Sequence, residues 1–114
     1  MNIALIGYGK MGKAIEAIAM ERGHRIVLKI DENNKADFNQ ANIAKADVAI
    51  EFTGPHSAFE NVKKLINFCI PTVSGSTGWL EKFEEITQLN NEKSGSFLYA
   101  SNFSVGVNLF FELN

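Results

Sequence analysis

The sequence predicts an α/β fold in which a doubly wound parallel sheet carries helices on both of its faces. Short apolar segments alternate with amphipathic helical segments along the 114 residues. The first apolar segment runs directly into a glycine-rich turn, and polar loops containing glycine follow several of the others. Because the carboxyl ends of parallel strands meet at one edge of a sheet, we expect these loops to form a cleft there.

The first half of the chain predicts three strands and one long helix. In order, these are a strand at 2–6, a helix that ends at Gly23, a strand at 25–30, a polar loop with a short helical patch at 38–43, and a strand at 47–52. The helix is predicted because apolar residues recur on one face at spacings of three and four, at Met11, Ala14, Ile15, Ile18 and Ala19.

The second half continues the alternation. Thr53 or Gly54 is expected to cap a helix with Pro55 at its first position. The apolar face of that helix consists of Phe59, Val62, Leu65, Ile66 and Cys69. A strand at 71–74, a helix at 80–89 and a strand at 96–100 follow, and a further helix is predicted from Val105 onward.

The turn after the first strand reads GYGKMG, with glycines at Gly7, Gly9 and Gly12. In a Rossmann-like fold the first glycine permits a tight turn, the second lets the backbone approach a dinucleotide's pyrophosphate, and the third lets helix and strand pack closely. The following helix offers that anion unpaired N–H groups and its positive dipole end. Asp31 comes about 20 residues later, where an acidic side chain binds the adenosine ribose.

The composition excludes several functional classes. The hydrophobic fraction of 46% and the charged fraction of 21% are typical of one globular domain. The 11 basic residues form no stripe that would attract nucleic acid. We also expect no membrane span, no signal peptide and no metal site, and therefore a cytoplasmic protein.

Four side chains that could carry chemistry are given structural roles. Cys69, the single cysteine, is expected to be a buried thiol. His24 is expected to be a solvated turn residue, and His56 a structural residue at a helix N-terminus. Glu51 is expected at an edge position, paired or solvated at the strand end. No catalytic residue is assigned within the chain.

Three more motifs follow the later strands, namely FTGP from Phe52, VSGSTGW from Val73 and ASNFSVGVN from Ala100. With these motifs in this order, essentially the whole sequence resembles the N-terminal domain of the dihydrodipicolinate reductase family. The resemblance implies an NAD(P)H-dependent oxidoreductase, 4-hydroxy-tetrahydrodipicolinate reductase, that reduces a cyclic dicarboxylate in diaminopimelate and lysine biosynthesis. It also implies a homotetramer, with the catalytic acid and the ligands of the substrate carboxylates in a second domain.

The resemblance assigns cofactor-binding residues to five loops. They are Gly7, Tyr8, Gly9, Lys10, Met11 and Gly12 at the pyrophosphate; Asp31 and Glu32 at the adenosine ribose; Phe52 and Thr53 along the groove; Gly75, Ser76 and Thr77 near the nicotinamide; and Ala100, Ser101, Asn102 and Phe103 closing over it. Thr77 is also implied to contact the substrate. The family commonly has threonine where this chain has Ser76, and proline where it has Ser101, so the last loop lacks a rigid turn.

The residues after the second strand predict the choice of cofactor. Glu32 stands where many NADPH-dependent enzymes place an arginine for the 2′-phosphate. Two adjacent carboxylates, Asp31 and Glu32, should repel that phosphate, and Lys35 could partly offset the repulsion. We therefore expect NADH to be preferred and NADPH to be tolerated.

The chain ends in an uncapped apolar run at Leu109, Phe110, Phe111 and Leu113. We therefore expect residues 1–114 to be a dinucleotide-binding domain cut from a longer chain, inactive without its catalytic domain. Two alternatives remain open. One is a domain of another NAD(P) oxidoreductase, such as an aspartate dehydrogenase, and the other is a free-standing regulatory module that senses NADH.

Overall fold

A computed structural model of the protein describes residues 1–76 and 78–99. Its strands are β1 (Asn2–Ile6), β2 (Arg25–Ile30), β3 (Val48–Glu51), β4 (Thr72–Ser74) and β5 (Phe97–Tyr99). Its α-helices are α1 (Lys10–Glu21), α2 (Gln40–Ile43), α3 (Ala58–Asn67) and α4 (Phe83–Glu92). Short 3-10 helices at Lys35–Asp37 and Leu80–Lys82 precede α2 and α4.

The five strands form one parallel sheet in the order β2-β1-β3-β4-β5, which confirms the predicted fold class. From β1 the chain adds β2 on one side of the sheet and then β3, β4 and β5 on the other side. In parallel sheets, ligands bind in the crevice at the carboxyl ends of the two strands between which this change occurs, here β1 and β3. The carboxyl ends of the strands are level, because Ile6 pairs with both Ile30 and Glu51, and Glu51 pairs with Ser74. The loops that follow β1, β2, β3 and β4 therefore begin side by side.

Alternate residues of the central strands pack against helices on opposite faces of the sheet. Ile3, Leu5 and Ile50 pack against α1 through Ile15 and Ala19. Their neighbours in the chain pack on the other face with residues of α2 and α3, in a cluster that contains Ala4, Ile6, Ala49, Ile43 and Leu65. A third cluster around Trp79 joins α3, α4 and β5. The helices thus cover both faces, as predicted.

Helix α1 packs through a narrower stripe than the sequence predicts. Its buried residues are Gly12, Ile15 and Ala19, whereas Met11 and Ile18 are 38% and 37% exposed and Ala14 is also exposed. The predicted helix is therefore present, but of its five-residue apolar face only Ile15 and Ala19 are buried.

The boundaries of α3 also differ from the prediction. The helix begins at Ala58 after a turn in which the Gly54 carbonyl accepts a hydrogen bond from the Ala58 N–H at 2.9 Å, so Pro55 lies in the turn and not in the helix. The helix ends at Asn67, and Cys69 has a φ of 61°. This left-handed turn points the thiol outward while Ile70 takes the buried position. The expectation of a buried Cys69 is wrong.

The helix predicted at 80–89 appears as a 3-10 turn at Leu80–Lys82 followed by α4, which extends to Glu92. Ile86 is its buried residue, and it packs beside Trp79. The helix predicted from Val105 lies outside the described residues. In the described part of the chain, no helix combines the length and apolar character needed to cross a membrane.

Candidate nucleotide-binding cleft

A cleft of about 660 Å³ opens at the carboxyl edge of the sheet, where β1 lies between β2 and β3. Three loops line it with residues that the sequence analysis placed in the cofactor site. They are Gly7, Tyr8 and Gly9 after β1, Asp31 and Glu32 after β2, and Phe52 and Thr53 after β3. Lys10, Met11 and Gly12 follow directly as the first turn of α1. The fold therefore brings these distant segments together.

Two glycines of the turn after β1 are required by close backbone contacts. Gly7 has a φ of +107°, and a Cβ atom there would lie 2.2 Å from the Phe52 carbonyl oxygen. A Cβ atom on Gly12 would lie 2.5 Å from the Gly7 carbonyl oxygen. Glycine at these two positions therefore lets the turn pack closely against the loop after β3 and lets α1 pack closely against the turn. The Gly7 N–H also donates to the Ile30 carbonyl at 2.8 Å, which ties the turn to the end of β2.

Gly9 differs from the other two glycines because it is open to the cleft. No atom lies within 4 Å of a Cβ built at this position. Gly9 is the N-cap of α1, no side chain caps that helix, and its first turn contains no acidic residue. The first N–H groups of a helix carry partial positive charge and need acceptors from outside the helix. The turn thus has the shape and the charge that suit a bound phosphate group.

The loop after β2 holds Asp31 at the far end of the cleft. One carboxylate oxygen of Asp31 accepts a hydrogen bond from the Asn33 N–H at 2.7 Å. The Asn34 side chain accepts from the Asp31 N–H and donates to the Lys29 carbonyl, each at 2.7 Å. These bonds fix the loop within a few residues. Because the side chain of Asp31 is exposed and no residue in 1–76 or 78–99 donates to its second oxygen, that oxygen is open to a ligand hydroxyl.

Three more charged side chains line the cleft, namely Lys35, which the sequence analysis expected near a 2′-phosphate, and two that it did not assign, Glu60 and Lys64. Helix α3 contributes Glu60 and Lys64, which are one helical turn apart, and the loop before α2 contributes Lys35. The Lys64 ammonium lies 4.3 Å from the centroid of the Phe38 ring, a cation-π distance. The spacing of Glu60 and Lys64 on the polar face of α3 was a usable signal, but only the fold shows that this face borders the cleft.

Tyr8 is held at the mouth of the cleft by Glu16 and Lys29. Its hydroxyl donates to Glu16 at 2.6 Å, the Lys29 ammonium donates to the other Glu16 oxygen at 3.0 Å, and the same ammonium lies 4.8 Å from the Tyr8 ring centroid. The hydrogen bond to Glu16 raises the pKa of Tyr8, and the bonds from Tyr8 and Lys29 lower the pKa of Glu16. The side chains of Tyr8, Glu16 and Lys29 thus connect the glycine turn to α1 and β2.

Glu51 is completely buried at the carboxyl end of β3, the middle strand of the sheet. Its carboxylate accepts from the Ser74 hydroxyl at 2.6 Å, from the Ser76 hydroxyl at 2.7 Å, from the Thr53 N–H at 2.8 Å and from the Thr53 hydroxyl. Among the described residues, no lysine, arginine or histidine forms an ion pair with it. The expected edge position is therefore wrong, and the carboxylate is paired with hydroxyls and an amide.

Ser76 connects Glu51 to the loop after β3. Its hydroxyl also accepts the Thr53 N–H at 2.9 Å and the Gly54 N–H at 3.2 Å, so its hydrogen-bonding capacity is used within the protein. Ser76 is 3% exposed, and it and Gly75 do not line the 660 Å³ cleft. Thr77, Ala100, Ser101, Asn102 and Phe103 lie outside the described residues.

The two histidines lie at opposite edges of the sheet. His56 is exposed and lines the cleft. His24 precedes β2 at the other edge, where it is half-buried and its Nδ1 accepts a hydrogen bond from the Met1 ammonium at 2.9 Å. It is thus not the solvated residue that was expected. Burial lowers the pKa of His24, and the nearby ammonium lowers it further.

No three His, Cys, Asp or Glu side chains in residues 1–76 and 78–99 are grouped so that they could hold a metal ion.

Sequence comparison places the chain among known proteins. A sequence profile described as "Dihydrodipicolinate reductase, N-terminus" matches residues 1–103. A 4-hydroxy-tetrahydrodipicolinate reductase of Christiangramia forsetii is 48% identical in an alignment 115 positions long that covers 100% of this chain and 47% of that protein. The one from Staphylococcus epidermidis is 34% identical in an alignment 113 positions long that covers 94% of this chain and 46% of that protein. The chain therefore spans about half the length of the curated relatives it matches.

Solved structures show the same fold. A dipicolinate-bound dihydrodipicolinate reductase from Paenisporosarcina sp. TG-14 superposes with a TM-score of 0.75 at 23% identity, over 96% of this chain and 50% of that one. A hyperthermophilic archaeal homoserine dehydrogenase in complex with NADPH gives a TM-score of 0.69 at 15% identity, over 88% of this chain and 43% of that one. The Rossmann-like fold is shared by both, so the fold does not separate the two enzyme classes. The sequence profile does, and by its match the chain belongs to the dihydrodipicolinate reductase family.

Proposed function

We propose that this chain is the dinucleotide-binding domain of a 4-hydroxy-tetrahydrodipicolinate reductase, which reduces a cyclic dicarboxylate with NAD(P)H in diaminopimelate and lysine biosynthesis. The observation that carries the proposal is the uncapped N-terminus of α1 behind an open glycine turn, in the same cleft as Asp31. An anion site and a hydroxyl acceptor at the two ends of one cleft suit the pyrophosphate and the ribose of a dinucleotide. The family match favours this reductase over an aspartate dehydrogenase or a sensing module.

The chain's own residues bind and orient the cofactor. The N–H groups at the start of α1 hold the pyrophosphate, with Gly9 leaving room for it. The free oxygen of Asp31 accepts hydrogen bonds from the adenosine ribose, and Phe52 and Thr53 line the cofactor groove. When bound, the reduced nicotinamide supplies the hydride. Gly75, Ser76, Thr77 and residues 100–103 are proposed to surround the nicotinamide, with Thr77 also contacting the substrate.

The rest of the reaction is proposed to depend on a second domain. We assign no catalytic residue to this chain, and we place the catalytic acid and the ligands of the substrate carboxylates in the other half of the enzyme. The chain's coverage of about half of each relative supports this division. A solved relative is described as dipicolinate-bound, which supports a cyclic dicarboxylate as the substrate class. The intact enzyme is proposed to be a cytoplasmic homotetramer that binds neither nucleic acid nor membrane.

The charges around Asp31 favour NADH over NADPH. A 2′-phosphate on the adenosine ribose would lie near Asp31 and Glu32, and Glu60 adds a third carboxylate to the same cleft. Lys35 and Lys64 supply two positive charges there, and contact with Phe38 holds the Lys64 ammonium over that ring. The excess of carboxylates makes NADH the preferred cofactor, while the two lysines allow NADPH to bind.

A charge reversal at Glu32 tests both the binding site and the preference. In the protein at the length its gene encodes, NADH and NADPH are titrated by calorimetry into wild type, Glu32→Arg and Glu21→Arg. Glu21 is exposed at the other end of α1, so it matches the charge change without touching the cleft. We expect Glu32→Arg to raise NADPH affinity relative to NADH about tenfold, or about 1.4 kcal/mol, and Glu21→Arg to leave the ratio unchanged.

Two results would count against this assignment. Failure of the folded wild type to bind either nucleotide would refute the dinucleotide-binding function. Tighter binding of NADPH than of NADH by the wild type would refute the predicted preference and leave the function in place.

A further inference from the structure

We propose that Glu51 is a positioning residue: its buried carboxylate joins the loop after β3 to the loop after β4 and thereby shapes the nicotinamide half of the cofactor groove. This inference rests on the function proposed above. It assigns a role to a charged group that makes no contact with the cleft in which the adenosine half would lie.

The first argument is the cost of the arrangement. Taking a carboxylate out of water is expensive, and an apolar residue of similar volume is often at least as stabilising in a protein core. Glu51 is completely buried in the central strand, with no ion pair from the described residues to offset that cost. A contribution to stability alone is therefore a poor account of this residue.

The second argument is the set of groups around the carboxylate. All four of its partners can donate: the hydroxyls of Ser74, Ser76 and Thr53, and the Thr53 N–H. An ionised carboxylate only accepts, and its two oxygens offer about four lone-pair sites. The Ser74 hydroxyl donates to one oxygen, and the Thr53 N–H, the Thr53 hydroxyl and the Ser76 hydroxyl converge on the other, so the carboxylate orients all of these groups toward itself. Asn61 extends the set, because its side-chain amide donates to the Thr53 hydroxyl at 3.2 Å.

The third argument is that the hydrogen bonds connect two loops. Ser76 comes after β4, and its hydroxyl bridges the Glu51 carboxylate to the N–H groups of Thr53 and Gly54 after β3. The Gly75 N–H also donates to the Glu51 carbonyl at 2.9 Å. The Ser76 carbonyl in turn accepts from the Trp79 indole at 3.0 Å, which anchors the second loop in the apolar cluster with α4. Among the described residues, Ser76 provides the side-chain hydrogen bonds between the two loops.

The position of this network selects the half of the cofactor that it affects. Asp31 follows β2, on one side of β1, and a dinucleotide extends across the crevice from its adenosine half to the other mononucleotide half. The loops joined by Glu51 follow β3 and β4, on the opposite side of β1. The described residues of the loop after β4, Gly75 and Ser76, therefore border the nicotinamide half and do not line the cleft that holds Asp31, whereas the loop after β3 lines that cleft through Phe52 and Thr53. The Ser76 bridge thus acts on the nicotinamide half, because it sets the position of the loop after β4.

A ligand that lacks the nicotinamide ring separates this role from a general structural one. ADP-ribose and NADH share the adenosine, the pyrophosphate and the second ribose. Both are titrated into the protein at the length its gene encodes, as wild type, Glu51→Gln, Ser76→Ala and Thr72→Val. Thr72 is the matched control, since its buried hydroxyl lies at the other end of β4 and donates to the Ile70 carbonyl at 2.9 Å.

We expect Glu51→Gln to weaken NADH binding about tenfold, which corresponds to about 1.4 kcal/mol, and to change ADP-ribose binding less than twofold. Glutamine keeps the shape but brings donors toward a set of donors, so the two loops lose their fixed relation. Ser76→Ala is expected to lower the ratio of NADH affinity to ADP-ribose affinity as well, because it removes the bridge and keeps the carboxylate. Thr72→Val is expected to lower the melting temperature and leave the ratio unchanged.

Each outcome is decisive. Equal weakening of both ligands by Glu51→Gln, or no weakening of either, would overturn the positioning role. If Glu51→Gln does not fold, the ratio of NADH affinity to ADP-ribose affinity in Ser76→Ala, compared with that in Thr72→Val, tests the positioning role. An unchanged ratio in Ser76→Ala overturns it. Failure of the folded wild type to bind both ligands would overturn the proposed function itself, which is a different result from an altered ratio.

Discussion

The two edges of the parallel sheet are built in different ways. At the amino edge, polar groups of neighbouring segments bond to one another. The Asn2 N–H donates to the Asp47 carboxylate at 2.7 Å, the Asp47 N–H donates to the Asn2 carbonyl at 2.7 Å, and the Arg25 N–H donates to the Met1 carbonyl at 3.0 Å. The Met1 ammonium and His24 form a further pair. This edge is closed by the protein's own partners.

At the carboxyl edge, helix α1 begins directly after the turn that follows β1, and no side chain of the described residues caps it. No described atom lies within 4 Å of a Cβ built at Gly9. The neighbouring junction between β3 and β4 is closed by Glu51 and the hydroxyls around it. The difference is that buried side chains hold the junction between β3 and β4, whereas the turn after β1 exposes backbone N–H groups at the start of α1.

The largest effect is expected from Gly7→Ala, which would break the carboxyl edge. Its Cβ atom would lie 2.2 Å from the Phe52 carbonyl oxygen, at a φ of +107°. We expect the free energy of unfolding to fall by about 3 kcal/mol, from backbone strain and the forced shift of the loop after β3. Urea denaturation followed by circular dichroism measures this.

Gly23→Ala is the control for the steric part of that prediction. Gly23 has a φ of +83° with no atom within 4 Å of its Cβ position, so alanine there should cost about 1 kcal/mol from the backbone alone. Equal losses in the two variants would mean that the contact between Gly7 and Phe52 does not hold the edge.

A smaller effect, and of a different kind, is expected from Gly9→Ala. The φ of −91° and the open space permit alanine, so the free energy of unfolding should change by less than about 1 kcal/mol. The methyl group would instead occupy the path by which the backbone approaches a pyrophosphate. We expect NADH affinity to fall about tenfold, or about 1.4 kcal/mol, in calorimetric titrations. Undiminished affinity would remove the glycine turn from the binding site, and Gly23→Ala should leave affinity unchanged.

The smallest effect is expected at the amino edge and depends on pH. Because the folded protein lowers the pKa of His24 below its usual 6.5, the unfolded chain binds the proton more readily. Keeping His24 neutral therefore costs the folded protein nothing above pH 6.5, and the free energy of unfolding decreases as the pH falls from 6.5 toward the lower pKa of the folded state. We expect the melting temperature of untagged protein to fall between pH 7.5 and about 5.5, and to fall less in His24→Gln, with NADH affinity unchanged. Identical pH profiles for the two proteins would contradict this.

Much of the fold could be predicted from local patterns. Strands β1 and β2 begin and end at the predicted residues, and all five strands pair in parallel. These elements were accessible because apolar spacing and glycine position are properties of neighbouring residues. The errors occur where a distant contact overrides the local pattern. Glu51 stands at the end of a short strand whose position in the sheet no local pattern gives, yet pairing with β1 on one side and β4 on the other places it in the middle of the sheet.

The amino-acid sequence by itself determined the alternation of strands and helices, the glycine turn and the acidic residue beyond β2, because each depends on short-range sterics or spacing. Only the tertiary structure decided that Lys64 shares a cleft with Asp31, and that Glu51 lies in the centre of the sheet with hydroxyls from two loops around it. Strand order is the physical reason. It places residues far apart in the chain side by side at the carboxyl edge, and no local pattern encodes that order.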